Sequence, residues 1–305
     1  MEISKERNTI PVAEIASFCR ISWVYDDVVL CEGSAEVLRR LAYSKRVDEL
    51  LFACRIDELF GSMPEMEYDD FSVRVFNAGA DKGRMERSIG SMIRGSVRLE
   101  DPRNEFRVFI EGDAVLFCRS LFTIRERFDD RRATRRPFFS PTSLHPRLAR
   151  AMINLSGAER EVFDPFCGTG GILIEGALMG LRVHGSDIQQ RMIDGCRENM
   201  DFFGLEGYSL ECSDVCDLDA EGLEAIVSDM PYGKSSYTGR EPLKQLYSRS
   251  FTKLCDMLKP GGRAVVCTNN LRLLMQPDTE LSLVGLHSLY VNKSMRRWIG
   301  VFTKT

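Results

Sequence analysis

Asp164-Pro165-Phe166-Cys167-Gly168-Thr169-Gly170-Gly171 is the stretch that decides the fold. It follows Val162-Phe163, the end of a short apolar run that reads as a buried strand, and precedes a helix expected to begin near Ile172. Glycines at such a junction let the backbone turn tightly and bring free helix N–H groups against a polar or anionic ligand. Roughly 20 residues further on, Asp187 closes the next strand-like run, Val183-His184-Gly185-Ser186-Asp187, where a carboxylate can accept both hydroxyls of a ribose. Strand, glycine turn, helix, strand and acid, in that order, imply a nucleoside-binding crevice.

The dinucleotide fingerprint is Gly-x-Gly-x-x-Gly, whereas this chain has Gly168-x-Gly170-Gly171 preceded by the acid Asp164. An acid at the mouth of the loop repels a pyrophosphate and accepts from an ammonium. S-adenosylmethionine carries an ammonium, a carboxylate, a ribose and a sulfonium, and no phosphate. The expected contacts are Asp164 to its amino group, the backbone of Gly168, Thr169, Gly170 and Gly171, and Asp187 to the ribose. Asp214, after a third strand over 208–212, is expected at the adenine edge.

Downstream, Asp229-Met230-Pro231-Tyr232-Gly233 follows the apolar run Ala225-Ile226-Val227-Ser228. An exocyclic amine on a base is a poor nucleophile because its lone pair is delocalised into the ring. Methylating it requires acceptors that hold the N–H groups and aim the lone pair at the donor. Asp229 is one such acceptor and the main-chain carbonyl of Met230 the other. Pro231 fixes the backbone, and Tyr232 can stack on a base drawn out of its helix. Guanine presents two adjacent donors that match one carboxylate, so Asp229 favours guanine over adenine without settling the choice.

These segments carry a resemblance. Arg136-Pro137, Ser140-Pro141-Thr142-Ser143-Leu144-His145-Pro146-Arg147-Leu148-Ala149-Arg150-Ala151-Met152, the Asp164 to Gly171 loop with Glu175, the Asp229 to Gly233 turn and Asn292-Lys293-Ser294-Met295-Arg296-Arg297 resemble class I S-adenosylmethionine-dependent methyltransferases of exocyclic amines. The similarity is greatest to the archaeal and eukaryotic tRNA guanine-10 N2-methyltransferases that carry a THUMP domain. One departure is visible: the family usually has Asp-Pro-Pro-Tyr, and Met230 stands at its second position. The resemblance implies a Rossmann-like α/β catalytic domain over 144–305, with a mostly parallel seven-stranded sheet and an antiparallel edge hairpin. It extends the cofactor set to Thr142, Phe166, Ile188, Val215 and Asp229. It also implies tRNA as partner, N2-mono- or dimethylguanosine as product, and in some relatives a small activating subunit. Methylation of another guanine or adenine in tRNA or ribosomal RNA stays open, as does an RNA-binding protein that has lost transfer, a reading motivated by Met230.

Strands are expected near 160–164, 181–186, 208–212, 224–229, 263–268, 283–291 and 297–303. Leu243, Leu246, Tyr247, Phe251, Leu254 and Leu258 mark the core face of a helix expected to stop at Pro260-Gly261-Gly262. Residues 233–242 are expected to form a lid over the target base.

With 305 residues, 44% of them apolar, the chain can hold two or three domains. No apolar leader follows Met1 and no apolar run approaches the roughly 18 residues of a membrane span, so a soluble, cytoplasmic protein is expected. Ten cysteines without a Cys-x-x-Cys pair read as a reduced, mostly buried set, with no metal site. The net charge of −4 is unevenly spread: residues 1–71 carry 8 basic and 15 acidic side chains, residues 72–136 carry 15 and 10. Arg74, Lys82, Arg84, Arg87 and Arg94, with Arg135 and Arg136 from the linker cluster, are the expected RNA contacts. A strand over 72–77, a basic helix over 84–97 and strands over 106–111 and 114–120 resemble the core of a THUMP domain. The expected division is a ferredoxin-like subdomain over 1–68, THUMP over 69–122, a linker over 123–143 and the catalytic domain. Within 1–68, a strand over 28–31, a helix over 35–42 and a strand or helix over 47–54 are expected.

Overall fold

The structure is a computed structural model that describes residues 1–4, 9–141, 143–232, 241–275, 279–292 and 295–305. The chain divides into two compact units, one formed by Met1–Glu2 with Ser44–Ile124 and the other by Ile3–Tyr43 with Arg125–Thr305. This division differs from the boundaries read from the sequence, because residues 3–43 group with the catalytic half. The cause is a buried acid. Glu14 accepts from the N–H groups of Ala42 (2.7 Å) and Tyr43 (3.0 Å) and from Asn154 Nδ2 (2.6 Å). Ile10, Ala42 and Tyr43 join Leu148, Met152 and Ile153 in one apolar cluster.

In the larger unit one sheet has seven strands: β1 (Glu161–Asp164), β2 (Arg182–Asp187), β3 (Ser209–Cys212), β4 (Leu223–Asp229), β5 (Leu258–Thr268), β6 (Leu281–Asn292) and β7 (Met295–Lys304). Their order across the sheet is β3-β2-β1-β4-β5-β7-β6. The first five run parallel, and β7 and β6 form the antiparallel edge pair. The central strands β1, β4 and β5 are apolar on both sides, as a doubly covered sheet requires, whereas the edge strand β3 is largely exposed. Val162, Val183, Ala225, Val227 and Val265 pack with helices α1 (Pro146–Ser156), α2 (Gly171–Leu178) and α3 (Gln190–Phe202). Phe163, Ile226, Ala264 and Val266 pack with α4 (Leu243–Met257) through Tyr247, Phe251 and Leu254. The strand order reverses between β1 and β4, so a crevice opens beyond their carboxyl ends.

The helix α4 ends at Met257 and not at the Pro260-Gly261-Gly262 turn expected from the sequence. Leu258 is already paired with Leu223, and the glycines lie inside β5. Gly261 takes φ 75°, and a Cβ on Gly262 would come within 2.9 Å of the Leu223 carbonyl, so the turn signal is spent on an irregularity in the strand.

In the smaller unit, Ser44–Arg55, Ala114–Thr123, Asn104–Glu111 and Phe71–Phe76 lie side by side in that order, the last two parallel. The basic helix spans Lys82–Gly90 and stops short of the expected residue 97. Beyond Ile89 the apolar period fails; Ile93–Arg94 pairs with Met66–Glu67, and Gly95 passes where a Cβ would meet the Tyr68 carbonyl at 2.2 Å. In the larger unit, Val28–Glu32 is a strand hairpinned to Arg20–Tyr25, which the sequence had not revealed. The helix expected over 35–42 reduces to one 3-10 turn, Val37–Arg40. Leu41 is extended there, which frees the next two N–H groups for Glu14.

Candidate active site

The glycine loop takes its shape from its own residues. Gly168 and Gly170 have φ 51° and 81°, values that side chains resist, and a Cβ on Gly170 would lie 2.6 Å from Cys196 Sγ. Asn199, fully buried on α3, donates from Nδ2 to the carbonyls of Thr169 and Phe138 (3.0 Å each) and accepts from the Phe138 N–H. One amide thus clamps the loop to the segment that leads into α1. Ser143 Oγ and Thr169 Oγ1 are 2.9 Å apart across the same junction.

A cleft runs from this loop along the carboxyl ends of β1, β2 and β4. Asp164, Phe166, Gly168, Thr169, Gly171, Asp187, Ile188, Asp214, Val215 and Asp229 of the expected cofactor set line it, together with Met230, Pro231 and Tyr232 of the expected catalytic turn. Gly170 turns the chain and is not among the lining residues. Thr142 lies outside the described residues, as do residues 233–240 of the expected lid and Lys293 and Ser294 of the C-terminal motif.

Three carboxylates converge on this cleft. Asp164 is 2% exposed; its Oδ1 accepts from Ser228 Oγ (2.6 Å) and the Phe166 N–H (3.1 Å), while Oδ2 has no partner among the described residues. Asp187 accepts the Gly168 N–H on Oδ2 (3.1 Å) and the Gln189 N–H on Oδ1 (3.0 Å). Burial pushes the carboxyls of Asp164 and Asp229 up to about 7 and raises Asp187, with repulsion from Asp187 and Asp229 adding to the shift at Asp164. A cleft with this charge repels phosphate and is relieved by a cation, the condition an ammonium or sulfonium meets.

Arg136 supplies the opposite sign at one end. It is 5% exposed, Nε donates to the Arg131 carbonyl (2.9 Å), and Nη1 and Nη2 are buried with no partner among the described residues. Nη1 lies 3.4 Å from where a Cβ on Gly171 would stand, at the amino end of α2. The donor set therefore fits an amino-acid end: an open carboxylate oxygen for an ammonium, and a buried cation beside a helix amino terminus for a carboxylate. The same observation corrects the sequence expectation for Arg136 as an RNA contact, because its guanidinium is enclosed. Arg131 of that cluster is engaged as well, donating to Glu175 at 2.6 and 3.1 Å, and Arg135 is exposed.

Asp214 lines the cleft and is held by a cation of its own. Its carboxylate accepts Arg249 on both oxygens, Oδ2 at 2.8 Å, and caps the turn at Cys216. Arg249 holds its pKa below the usual range. An adenine-edge contact by this side chain would compete with Arg249, a residue of α4 that lines the cleft and that sequence reasoning had missed.

The catalytic turn is anchored from Asp229 to Tyr232. The Met230 N–H donates to the Cys267 carbonyl (3.0 Å) and its side chain is fully buried. Proline could not make that bond, so Met230 replaces a fixed φ with a ladder hydrogen bond and core packing. Tyr247, assigned from sequence only to the core, donates to the Pro231 carbonyl (3.2 Å) and to Thr268 (2.8 Å). The Tyr232 hydroxyl donates to Asp229 Oδ1. Among the described residues no cluster could hold a metal ion, and all ten cysteines are free thiols.

Lys82, Arg84, Arg87 and Arg94 are exposed on the smaller unit, whereas Arg74 is half-buried and donates to the Leu99 carbonyl (2.9 Å). Lys82 lies near Glu86 (3.9 Å), and the other three exposed arginines have no described ion pair.

Residues 133–294 match the family described as UPF0020, RMKL-like, methyltransferase domain. The tRNA (guanine(10)-N2)-dimethyltransferase of Methanothermobacter thermautotrophicus is 33% identical to the chain, over 99% of this chain and 98% of that one. The enzyme of the same name from Pyrococcus abyssi is 33% identical over 75% of this chain and 72% of its own length. Among solved structures, TrmN from Thermus thermophilus superposes with a TM-score of 0.54 at 19% identity, covering 100% of this chain and 99% of that one, which establishes a shared fold. With a family match across more than half its length and a curated relative one-third identical end to end, the chain belongs to the RMKL-like methyltransferase family.

Proposed function

We propose that this protein transfers a methyl group from S-adenosylmethionine to the exocyclic N2 amine of guanosine 10 in tRNA. The observation that carries the reading is the placement of Asp229 at the carboxyl end of β4, in one continuous cleft with the glycine loop and Asp187. Two relatives named for that reaction support the nucleotide and its position.

In this reading Asp164 Oδ2 accepts the ammonium, Arg136 and the α2 amino end face the carboxylate, and Asp187 keeps a lone pair on each oxygen for the ribose hydroxyls. Ile188 and Val215 flank the adenine. Bound S-adenosylmethionine supplies an electrophilic methyl on a sulfonium. Asp229 and the Met230 carbonyl accept the N–H groups of the target amine, which turns its lone pair toward that methyl. Tyr232 must release Asp229 before the base can engage it. Because the Asp229 carboxyl is raised to about 7, it can also take the proton the amine sheds after transfer. The basic helix Lys82–Gly90 belongs to a THUMP-type region that grips the tRNA, and the reaction takes place in the cytoplasm.

The alternative of a fold retained without transfer lost its motive when Met230 proved to be anchored. The test is mass mapping of unmodified tRNA after incubation with the purified chain and S-adenosylmethionine. The expected product is N2-methyl- or N2,N2-dimethylguanosine at position 10. An N6-methyladenosine product, or no product, overturns the reading. Full transfer by the chain alone removes any need for an activating subunit.

A further inference from the structure

Asp229 lies directly opposite Cys267, and Cys267 directly opposite Ile299, across β4, β5 and β7. Val227, Val265, Cys267, Ile299 and Val301 bury on one face of the sheet, so Asp229 shares that face, and so does Arg297, two residues before Ile299. The antiparallel register of β7 places Arg297 one step beyond the last paired residue, Thr268 opposite Trp298, at the same end of the sheet as the cleft.

Arg297 is unusual for a buried cation. It is 8% exposed, and among the described residues its buried Nε has no partner and no carboxylate lies within ion-pair distance. A guanidinium whose Nε is buried without a partner is unfavourable unless something fills that donor. Its charge nevertheless reaches Asp229, whose carboxyl it draws back toward the ionised form. Asp229 and the five-donor fork of Arg297 therefore occupy one face and one end of the sheet, farther apart than an ion pair.

An acceptor and a donor fork held apart in this way suit one base. Along the guanine edge run the N2 amine, the ring N1–H and then O6, so its acceptor is separated from the reacting amine by a second donor. Adenine sets an acceptor immediately beside its amine. Resting on the guanine reading above, we propose that Arg297 is the specificity-determining residue for the target base. Its guanidinium donates to O6 while Asp229 accepts the N2 and N1 hydrogens.

The experiment compares single-turnover methyl transfer to tRNA carrying either guanine or 2-aminopurine at the target position; 2-aminopurine keeps the N2 amine but lacks O6 and the N1–H. The wild-type chain is expected to prefer guanine by about 100-fold, and R297M to cut the guanine rate by about 10- to 100-fold. The 2-aminopurine rate should change less than about threefold, so that the preference collapses. R297K, which keeps the buried charge and one donor, should restore an intermediate preference. Equal losses on both substrates, or a wild-type preference in both variants with cofactor affinity unchanged, would overturn the assignment. If the wild-type chain makes no N2-methylguanosine, the proposed function fails instead, and the two failures are told apart.

Discussion

The catalytic cleft and the sheet of the smaller unit treat charge in opposite ways. In the cleft, Asp164, Asp187 and Asp229 gather with no ion pair among the described residues, and burial raises all three, Asp164 and Asp229 to about 7. In the smaller unit, Arg107 donates to Asp48 (2.8 Å) and Glu2 (2.7 Å), Arg119 to Glu49 (2.7 Å), and Arg46 to Glu105. Charges that answer one another hold a structure together; charges left unanswered await a ligand. By that criterion the basic excess over 72–136 overstates the free charge, and of the expected RNA contacts Arg84, Arg87, Arg94 and Arg135 are exposed with no described ion pair.

The comparison breaks most visibly at Asp229. Substituting Asp229→Ala should lower single-turnover transfer by about 10²–10⁴-fold and leave cofactor affinity nearly unchanged. Wild-type transfer should rise as pH passes upward through about 7, because only the ionised carboxylate accepts two N–H groups. Comparable turnover in the variant would remove Asp229 from the chemistry. A smaller effect is expected at Asp187. Asp187→Ala should weaken cofactor binding by about 1–3 kcal/mol, the range for a lost charge-assisted hydrogen bond, measured by calorimetry. An unchanged dissociation constant would refute the ribose assignment. The smallest effect tests the other region. The triple variant R84A/R87A/R94A should raise the KM for tRNA several-fold and flatten its salt dependence by about 2–3 in log–log slope. Cofactor affinity and thermal stability should hold, since these side chains are exposed. An unaltered KM would mean that this helix does not hold RNA.

Local chemistry was the legible part of the sequence. The glycine turn, the strand-end acids and the Asp229 to Tyr232 turn are contiguous signals, and the structure brings them to one cleft. Alternating strands and helices also announced a parallel sheet with a reversed edge. What stayed hidden depends on burial and on partners far apart in sequence. Nothing in Arg131 or Arg136 distinguishes a buried strut from a surface cation, and Arg249 meets Asp214 across 35 residues. The attachment of residues 3–43 to the catalytic half rests on Glu14 and Asn154, 140 positions apart, each an ordinary polar residue in isolation. Pro260-Gly261-Gly262 misled for a related reason: a turn signal does not say whether it ends a helix or kinks a strand.

Met230 carries a consequence for how such enzymes are recognised. Its amide completes a rung with Cys267 and its thioether fills the core, so rigidity at this position has a second chemical solution. A search pattern that insists on two adjacent prolines would discard chains whose active-site geometry is maintained by other means.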